Sequence, residues 1–296
     1  MSSMKVLVFG HKGWIGSMIC KLLEKESIEY VNASCRANNK EELEKEILQV
    51  KPTHIMSFIG RTHGQIGEKK YTTIDYLEQK GKIVENVRDN LFSPLVLALL
   101  SKKYNIHFMY LGTGCIFKFD DSHQYGNETT GFTESDKPNF FGSSYSVVKG
   151  YTDELMHLLE DNVLNLRIRM PIIDKLEPRN FITKILNYEY ICSIPNSMTV
   201  LDELLPYLID MCKRKITGTY NFTNPGLISH NEILTMYKEI IDPELKWKNF
   251  SQEEQLKILD ADRSNNCLDT TKLEKLYPDI LHIKESVKNT IIRMKK

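Results

Sequence analysis

Tyr145 and Lys149 stand four apart in Tyr145-Ser146-Val147-Val148-Lys149, a spacing that puts a phenol and an ammonium on one face of a helix. An ammonium and an oxidised nicotinamide both stabilise phenolate, so beside them the tyrosine pKa is expected to fall toward the working pH, as a general acid or base requires. The spacing alone selects nothing, because Tyr76 and Lys80 repeat it. Chain order does select. Tyr145 follows the run ending Leu111-Gly112-Thr113, whose hydroxyl can share a substrate oxygen, whereas Tyr76 precedes that run. Cys115 lies two residues beyond Thr113, and an extended backbone would turn both side chains to one side. Lys184 lies on a short helical pattern that opens near Asn180. An isolated cysteine is usually a small buried apolar residue and a helix lysine usually solvated, so neither earns a role from spacing.

The second chemical signal is the loop Gly10-His11-Lys12-Gly13-Trp14-Ile15-Gly16, between a first apolar run and a helical pattern with Ile15, Met18, Ile19, Leu22 and Leu23 on its apolar side. Glycines allow a tight turn and close approach to a pyrophosphate, whose charge is met by free N–H groups at the helix start. Where the second strand should end, at Ser34-Cys35-Arg36, an NAD site would carry an acid for the ribose hydroxyl. Arg36 suits a 2′-phosphate instead, and Lys12 adds positive charge, so NADPH is the expected cofactor.

The elements that must position these groups follow a strand-helix rhythm. Runs at 5–9, 28–33, 54–59, 106–111 and 164–170 read as strands, and apolar residues recur at helical spacing between them, as at Leu43, Ile47 and Val50. Right-handed crossovers of helix length imply an α/β fold: a Rossmann-type, doubly wound parallel sheet with its ligand site at the carboxyl ends of the strands. After Met170-Pro171 the rhythm breaks into Pro- and Asn-punctuated pieces. The expected organisation is therefore a dinucleotide-binding domain over 1–171 and a smaller substrate-binding lobe over 172–296. That lobe is interleaved: a helix over 202–213 and a strand over 219–222 lie in a stretch, about 197–224, that would return to the main sheet. The charge run Glu41 to Glu46 reads as the solvated face of a helix.

Composition narrows the function classes. With 296 residues the chain can bury a real core, and 39 basic against 39 acidic residues leave no broad field for nucleic acid or an anionic membrane. No apolar run approaches the roughly 20 residues of a membrane span. The start Met1-Ser2-Ser3-Met4-Lys5-Val6 lacks a secretory pattern, so a cytoplasmic location is expected. Six cysteines without C-x-x-C spacing and eight histidines without H-x-x-x-H indicate neither disulfides nor a metal.

Together these features resemble the extended short-chain dehydrogenase/reductase superfamily. Six segments give a narrower resemblance, to the nucleotide-rhamnose synthase/epimerase-reductase family: 13–16, 113–117, 167–171, 179–184, 221–226 and 229–234. The resemblance implies a bifunctional enzyme that converts UDP-4-keto-6-deoxy-D-glucose to UDP-L-rhamnose with NADPH, after a separate 4,6-dehydratase supplies the UDP-linked 4-keto-6-deoxy sugar. It implies Tyr145, Lys149 and Thr113 for reduction at C4, and Cys115 with Lys184 for inversion at C3 and C5. Arg263, in Arg263-Ser264-Asn265-Asn266, resembles an arginine of related ketosugar reductases that meets the nucleotide diphosphate; Ser264 stands where those relatives often have proline. Asn180 is a further substrate contact by the same resemblance. The competing readings are a monofunctional dTDP-4-dehydrorhamnose reductase, against which Cys115 and Lys184 argue, and a noncatalytic dinucleotide-binding subunit, against which the intact Thr113, Tyr145 and Lys149 argue. A homodimer is left open, because the apolar helix from Leu91 to Leu100 serves a subunit interface or a buried face equally well.

Overall fold

The computed structural model describes residues 4–124 and 130–295; residues 1–3, part of the segment read for a leader, lie outside the described residues, as do 125–129 and 296. Lys5–Phe9 forms β1, Trp14–Lys25 α1, Glu29–Asn32 β2, Lys40–Val50 α2 and His54–Ser57 β3. A hairpin of Gly64–Ile66 (β4) and Lys69–Tyr71 (β5) follows, then Ile83–Val87 (α3), Ser93–Lys103 (α4), His107–Thr113 (β6), Ser144–His157 (α5) and Val163–Ile168 (β7). The later elements are Phe181–Leu186 (α6), Tyr190–Ile191 (β8), Leu201–Lys213 (α7), Gly218–Asn221 (β9), His230–Ile240 (α8), Lys248–Asn249 (β10), Gln252–Leu256 (α9), Thr271–Leu276 (α10) and Ile283–Met294 (α11).

Six strands form one sheet in the order β2-β1-β3-β6-β7-β9, with β2, β1, β3 and β6 paired in parallel. The fold is the expected Rossmann-like α/β arrangement. Strand order reverses between β1 and β3, and at such a switch point the loops leaving the carboxyl ends diverge to open a crevice. The loop after β1 is the glycine loop, so the sequence places its phosphate-binding geometry at that crevice.

The chain divides into two compact units. The first comprises the chain up to Ile116, Phe140–Leu166 and Leu208–Thr219; the second comprises Phe117–Asn139, Arg167–Tyr207 and the chain from Tyr220 onward. In the first unit, Leu7, Phe9, Ile55, Phe108 and Tyr110 from the strands are buried with Leu43, Ile47, Leu97 and Met156 from the helices. Full burial of each such side chain is worth about 1.5–3 kcal/mol, and this face-by-face matching fixes the register. In the second unit, Ile172, Ile182, Ile185, Met198 and Val200 pack with Ile233, Leu234, Ile283, Val287 and Ile291. There α8 starts at a capping box, in which Ser229 accepts from the Glu232 N–H and Glu232 accepts from Ser229.

Two expectations change. The charge run on α2 is not wholly solvated: the Glu46 carboxylate accepts from the Ser34 N–H (2.6 Å), the Ser34 hydroxyl (2.8 Å) and the Cys35 N–H (3.1 Å), fastening the segment that leads into Arg36. The apolar run at 91–100 is helical throughout, as expected, but not α-helical throughout. It starts in a wide π-type turn, Arg88–Phe92, and continues as α4, which buries Val96, Leu97, Ala98 and Leu100 while leaving Leu99 51% exposed. Among the described residues no helix is long and apolar enough to cross a membrane.

Candidate active site

The glycine loop is shaped by contacts that only glycine permits. Gly10 has φ +77°, and a Cβ there would lie 2.8 Å from the Phe58 carbonyl carbon, just beyond β3. A Cβ on Gly16 would lie 2.2 Å from the Gly10 oxygen, so the first turn of α1 packs directly on the loop. Gly13 is the N-cap of α1 and brings no capping side chain, which leaves the opening N–H groups for an anion. The buried Nδ1 of His11 also has no hydrogen-bond partner among the described residues. Lys12 is exposed, Trp14 and Ile15 are half-buried, and Arg36 is exposed beyond the segment held by Glu46. These residues fit a dinucleotide pyrophosphate by shape and by donor chemistry.

Thr113 ends β6, and the backbone turns at Gly114-Cys115 instead of continuing extended. The expected extended geometry from Thr113 to Cys115 is therefore corrected: the Cys115 N–H folds back to donate to the Thr113 hydroxyl oxygen at 3.1 Å. Gly112 permits this end of the strand, because a Cβ there would sit 2.3 Å from Asn165 Oδ1. Ser143 caps α5 by accepting from the Ser146 N–H, and the Ser146 hydroxyl donates to the Cys115 carbonyl at 2.7 Å. The turn carrying the thiol is thereby pinned to the helix carrying Tyr145 and Lys149. Ser146 was not singled out from the sequence, although its place next to Tyr145 is a signal that it shares the same helix end.

Tyr145 hydrogen-bonds Thr113. Within the protein itself burial pushes the phenol well above its ordinary value, the nearby Cys115 sulfur adds to that, and the Thr113 hydrogen bond only partly opposes them. Tyr145 is thus held as the protonated acid. Lys149, 4% exposed, donates to the Tyr110 hydroxyl at 2.5 Å. Burial lowers its pKa to about 8, while Asp153 and Cys115 pull it upward. Thr113, Cys115, Tyr145 and Lys149 are brought together within the first unit.

The second unit assembles a different set. Lys184 on α6 is half-buried, and its pKa is lowered by burial and then by the cations Arg179 and Arg263. Arg179 lay inside a quoted segment but was not expected at the site; the gathering of three cations is visible only in the fold. Asn180 is fully buried as the N-cap of α6, its amide donates to the Ile173 and Lys175 carbonyls, and its oxygen accepts from the Ile173 and Ile182 N–H groups. The hydrogen bonds of that side chain are spent on its own loop, which gives it a structural role that the sequence did not suggest. Ser264 also gains a reason: it accepts from Arg169 Nη1 at 2.8 Å and donates to the Phe117 carbonyl at 2.6 Å, bonds that proline could not make, and so anchors the loop that carries Arg263. Trp247 packs on the second-unit core and donates to Asn231.

Comparison with known proteins places this geometry. The model of the NAD dependent epimerase/dehydratase family matches residues 6–172. A bifunctional dTDP-4-dehydrorhamnose 3,5-epimerase/dTDP-4-dehydrorhamnose reductase of Arabidopsis thaliana is 46% identical over 287 residues, covering 97% of this chain and 92% of that protein. The crystal structure of a UDP-rhamnose synthase from Acanthamoeba polyphaga mimivirus superposes with a TM-score of 0.94 at 57% identity, covering 99% of this chain and 100% of that one. A dTDP-4-dehydrorhamnose reductase from Bacillus anthracis in complex with NADP shares the fold, with a TM-score of 0.78 at 16% identity over 98% of this chain and 99% of that one.

Proposed function

The chain belongs to the NAD dependent epimerase/dehydratase family, and from that premise we propose that it is a bifunctional nucleotide-sugar enzyme acting on UDP-4-keto-6-deoxy-D-glucose. It inverts C3 and C5 and then reduces C4 to give UDP-L-rhamnose. The observation that carries this reading is the cluster in which Tyr145 bonds Thr113 while Cys115 folds onto the same hydroxyl. A reductase alone needs the first pair; the thiol beside them supplies a second proton carrier.

The C4 ketone acidifies the hydrogens on C3 and C5, so each centre inverts by losing a proton from one face and regaining one on the other through an enolate. Cys115 and Lys184 are the proposed carriers of those protons. Lys184 suits the role because burial and two guanidiniums loosen its proton. In the reduction Tyr145, held protonated by its burial, gives its proton to O4, and the Thr113 hydroxyl shares the same oxygen. Lys149 offsets the charge left on the phenolate. When bound, the nicotinamide cofactor supplies the hydride.

The family is NAD(P)-dependent, and Arg36 with Lys12 favours NADPH, because a guanidinium fits a 2′-phosphate. Arg263 and Arg179 are assigned to the diphosphate of the sugar nucleotide, a forked donor set for paired oxyanions. The first unit then holds the cofactor and the second the nucleotide. A separate 4,6-dehydratase supplies the ketosugar, the reaction takes place in the cytoplasm, and the exposed Leu99 and Phe92 are the apolar residues that a second copy would cover.

The test is incubation with UDP-4-keto-6-deoxyglucose and NADPH in heavy water, with the product read by mass spectrometry and NMR. The expected product is rhamnose carrying solvent deuterium at C3 and C5. A 4-reduced sugar without deuterium would assign a monofunctional reductase, and NADPH binding without turnover a noncatalytic subunit. In Cys115→Ala, exchange should stop with NADPH binding intact; normal uptake there removes the thiol from the mechanism.

A further inference from the structure

Tyr110 is a buried phenol that the proposed reaction does not use. It lies on β6 three residues before Thr113 and is 1% exposed. Its hydroxyl stands 2.5 Å from Lys149 Nζ, and the ammonium also lies 4.6 Å from the centre of its ring. A phenol this deep in the core needs a hydrogen-bond partner, because an unpaired hydroxyl there is costly. Here its partner is the ammonium of the proposed reducing pair.

The groups that face Nζ come from two elements. β6 and the turn after it contribute Tyr110 and Cys115, and α5 contributes Asp153, while Tyr145 of the same helix lies near the Tyr110 phenol. Asp153 is drawn elsewhere as well, taking the Asn165 amide at 2.8 Å and lying 3.6 Å from His157. Tyr110 thus offers the direct hydrogen bond, and burial keeps its own proton firmly on, so it acts as a neutral acceptor. A neutral acceptor occupies one of the three ammonium protons and leaves two for other partners. A carboxylate in that place would bind the lysine as a closed ion pair.

We infer that Tyr110 is a positioning residue for the reduction: by accepting a hydrogen bond from Lys149 Nζ, its hydroxyl fixes the ammonium within the Thr113–Tyr145 cluster and keeps it charged. The inference rests on the reading of Tyr145 and Lys149 as the reducing pair. A phenylalanine would preserve the ring and the packing while removing the acceptor.

The experiment compares wild type with Tyr110→Phe and Tyr110→Met, the second filling the space with a flexible apolar chain in case the first folds poorly. Melting temperature and NADPH affinity are measured first. The pH dependence of kcat/KM for ketosugar reduction then reports the free enzyme's ionisations. Loss of a charge-assisted hydrogen bond should move the basic limb down by about one pH unit in both variants. The same downward step should appear in the Lys149 side-chain titration followed by NMR, a readout that needs no turnover. In a Lys149→Met background, adding Tyr110→Phe should leave NADPH affinity where the single change put it. An unshifted limb and titration in a folded variant would overturn the inference, as would a full further loss in the Lys149→Met background. A wild-type protein that does not reduce the ketosugar would sink the functional reading alone, since the NMR titration still decides whether Tyr110 holds the lysine.

Discussion

Lys149 in the first unit and Lys184 in the second both hold their protons less tightly than an ordinary lysine, and burial is the largest cause for each. Their neighbours differ in sign. Around Lys149, Asp153 and Cys115 oppose the burial and Tyr110 accepts a hydrogen bond, so the fold works to keep an ammonium there. Around Lys184, Arg179 and Arg263 add to the burial, so the fold works to remove the proton. In the proposed reaction the same side chain is a fixed charge in one region and a proton carrier in the other. Arrival of a diphosphate beside Lys184 would neutralise the two guanidiniums and raise its proton affinity, which ties proton return to an occupied site.

The largest expected effect isolates the first region. Tyr145→Phe removes the acid and keeps the ring, so NADPH oxidation should fall by about 10²–10⁴-fold, followed by absorbance under saturating ketosugar. Deuterium uptake at C3 and C5 should persist in the same sample, because the proposed carriers there are Cys115 and Lys184. A near-normal rate of reduction would break the comparison at its first term.

A smaller effect isolates the second region. Arg179→Gln or Arg263→Gln removes a like charge from Lys184, so its pKa should rise and the onset of exchange should move to higher pH. The lost charge-assisted contact should also raise KM for the sugar nucleotide by about 10- to 100-fold, leaving NADPH affinity alone. Exchange whose pH profile stays in place would mean that Lys184 is not the group titrating.

Much of the first region was legible in the sequence, because local rules govern it. A strand, a glycine turn and a helix are contiguous in residues 5–25, and the Tyr145–Lys149 spacing becomes one helix face as soon as α5 forms. The turn at Gly114-Cys115 was misread, since it depends on a bond from Ser146, thirty-one residues away. The second region was less legible for the same reason. Arg179, Lys184 and Arg263 meet through tertiary folding, and Asn180 looks like a contact in sequence yet closes its own loop. Tyr110 gave no signal, because a tyrosine on a buried strand reads as core until its hydroxyl is traced to Lys149.

A buried pair with no chemistry to perform sharpens the comparison further and should have the smallest effect on turnover. His54 and His107 begin β3 and β6, at the amino ends of the strands, with ring centres 5.2 Å apart. His54 Nε2 meets the Cys212 carbonyl at 3.0 Å, and His107 Nε2 meets the Ile216 carbonyl at 2.7 Å. Burial, then the neighbouring His107, lowers the His54 pKa to about 4 from an ordinary 6.5, with Lys215 adding to the drop; burial lowers His107 too. A depressed histidine binds its proton more readily in the unfolded chain, so stability is complete above pH 6.5 and is lost as the pH falls toward 4. For His54 alone the loss is about 3 kcal/mol across that window. Urea unfolding between pH 7 and 4.5 should show it, and His54→Gln, which cannot take up the proton, should flatten the slope while turnover at neutral pH stays near wild type. An equally steep slope in that variant would place the acid sensitivity elsewhere.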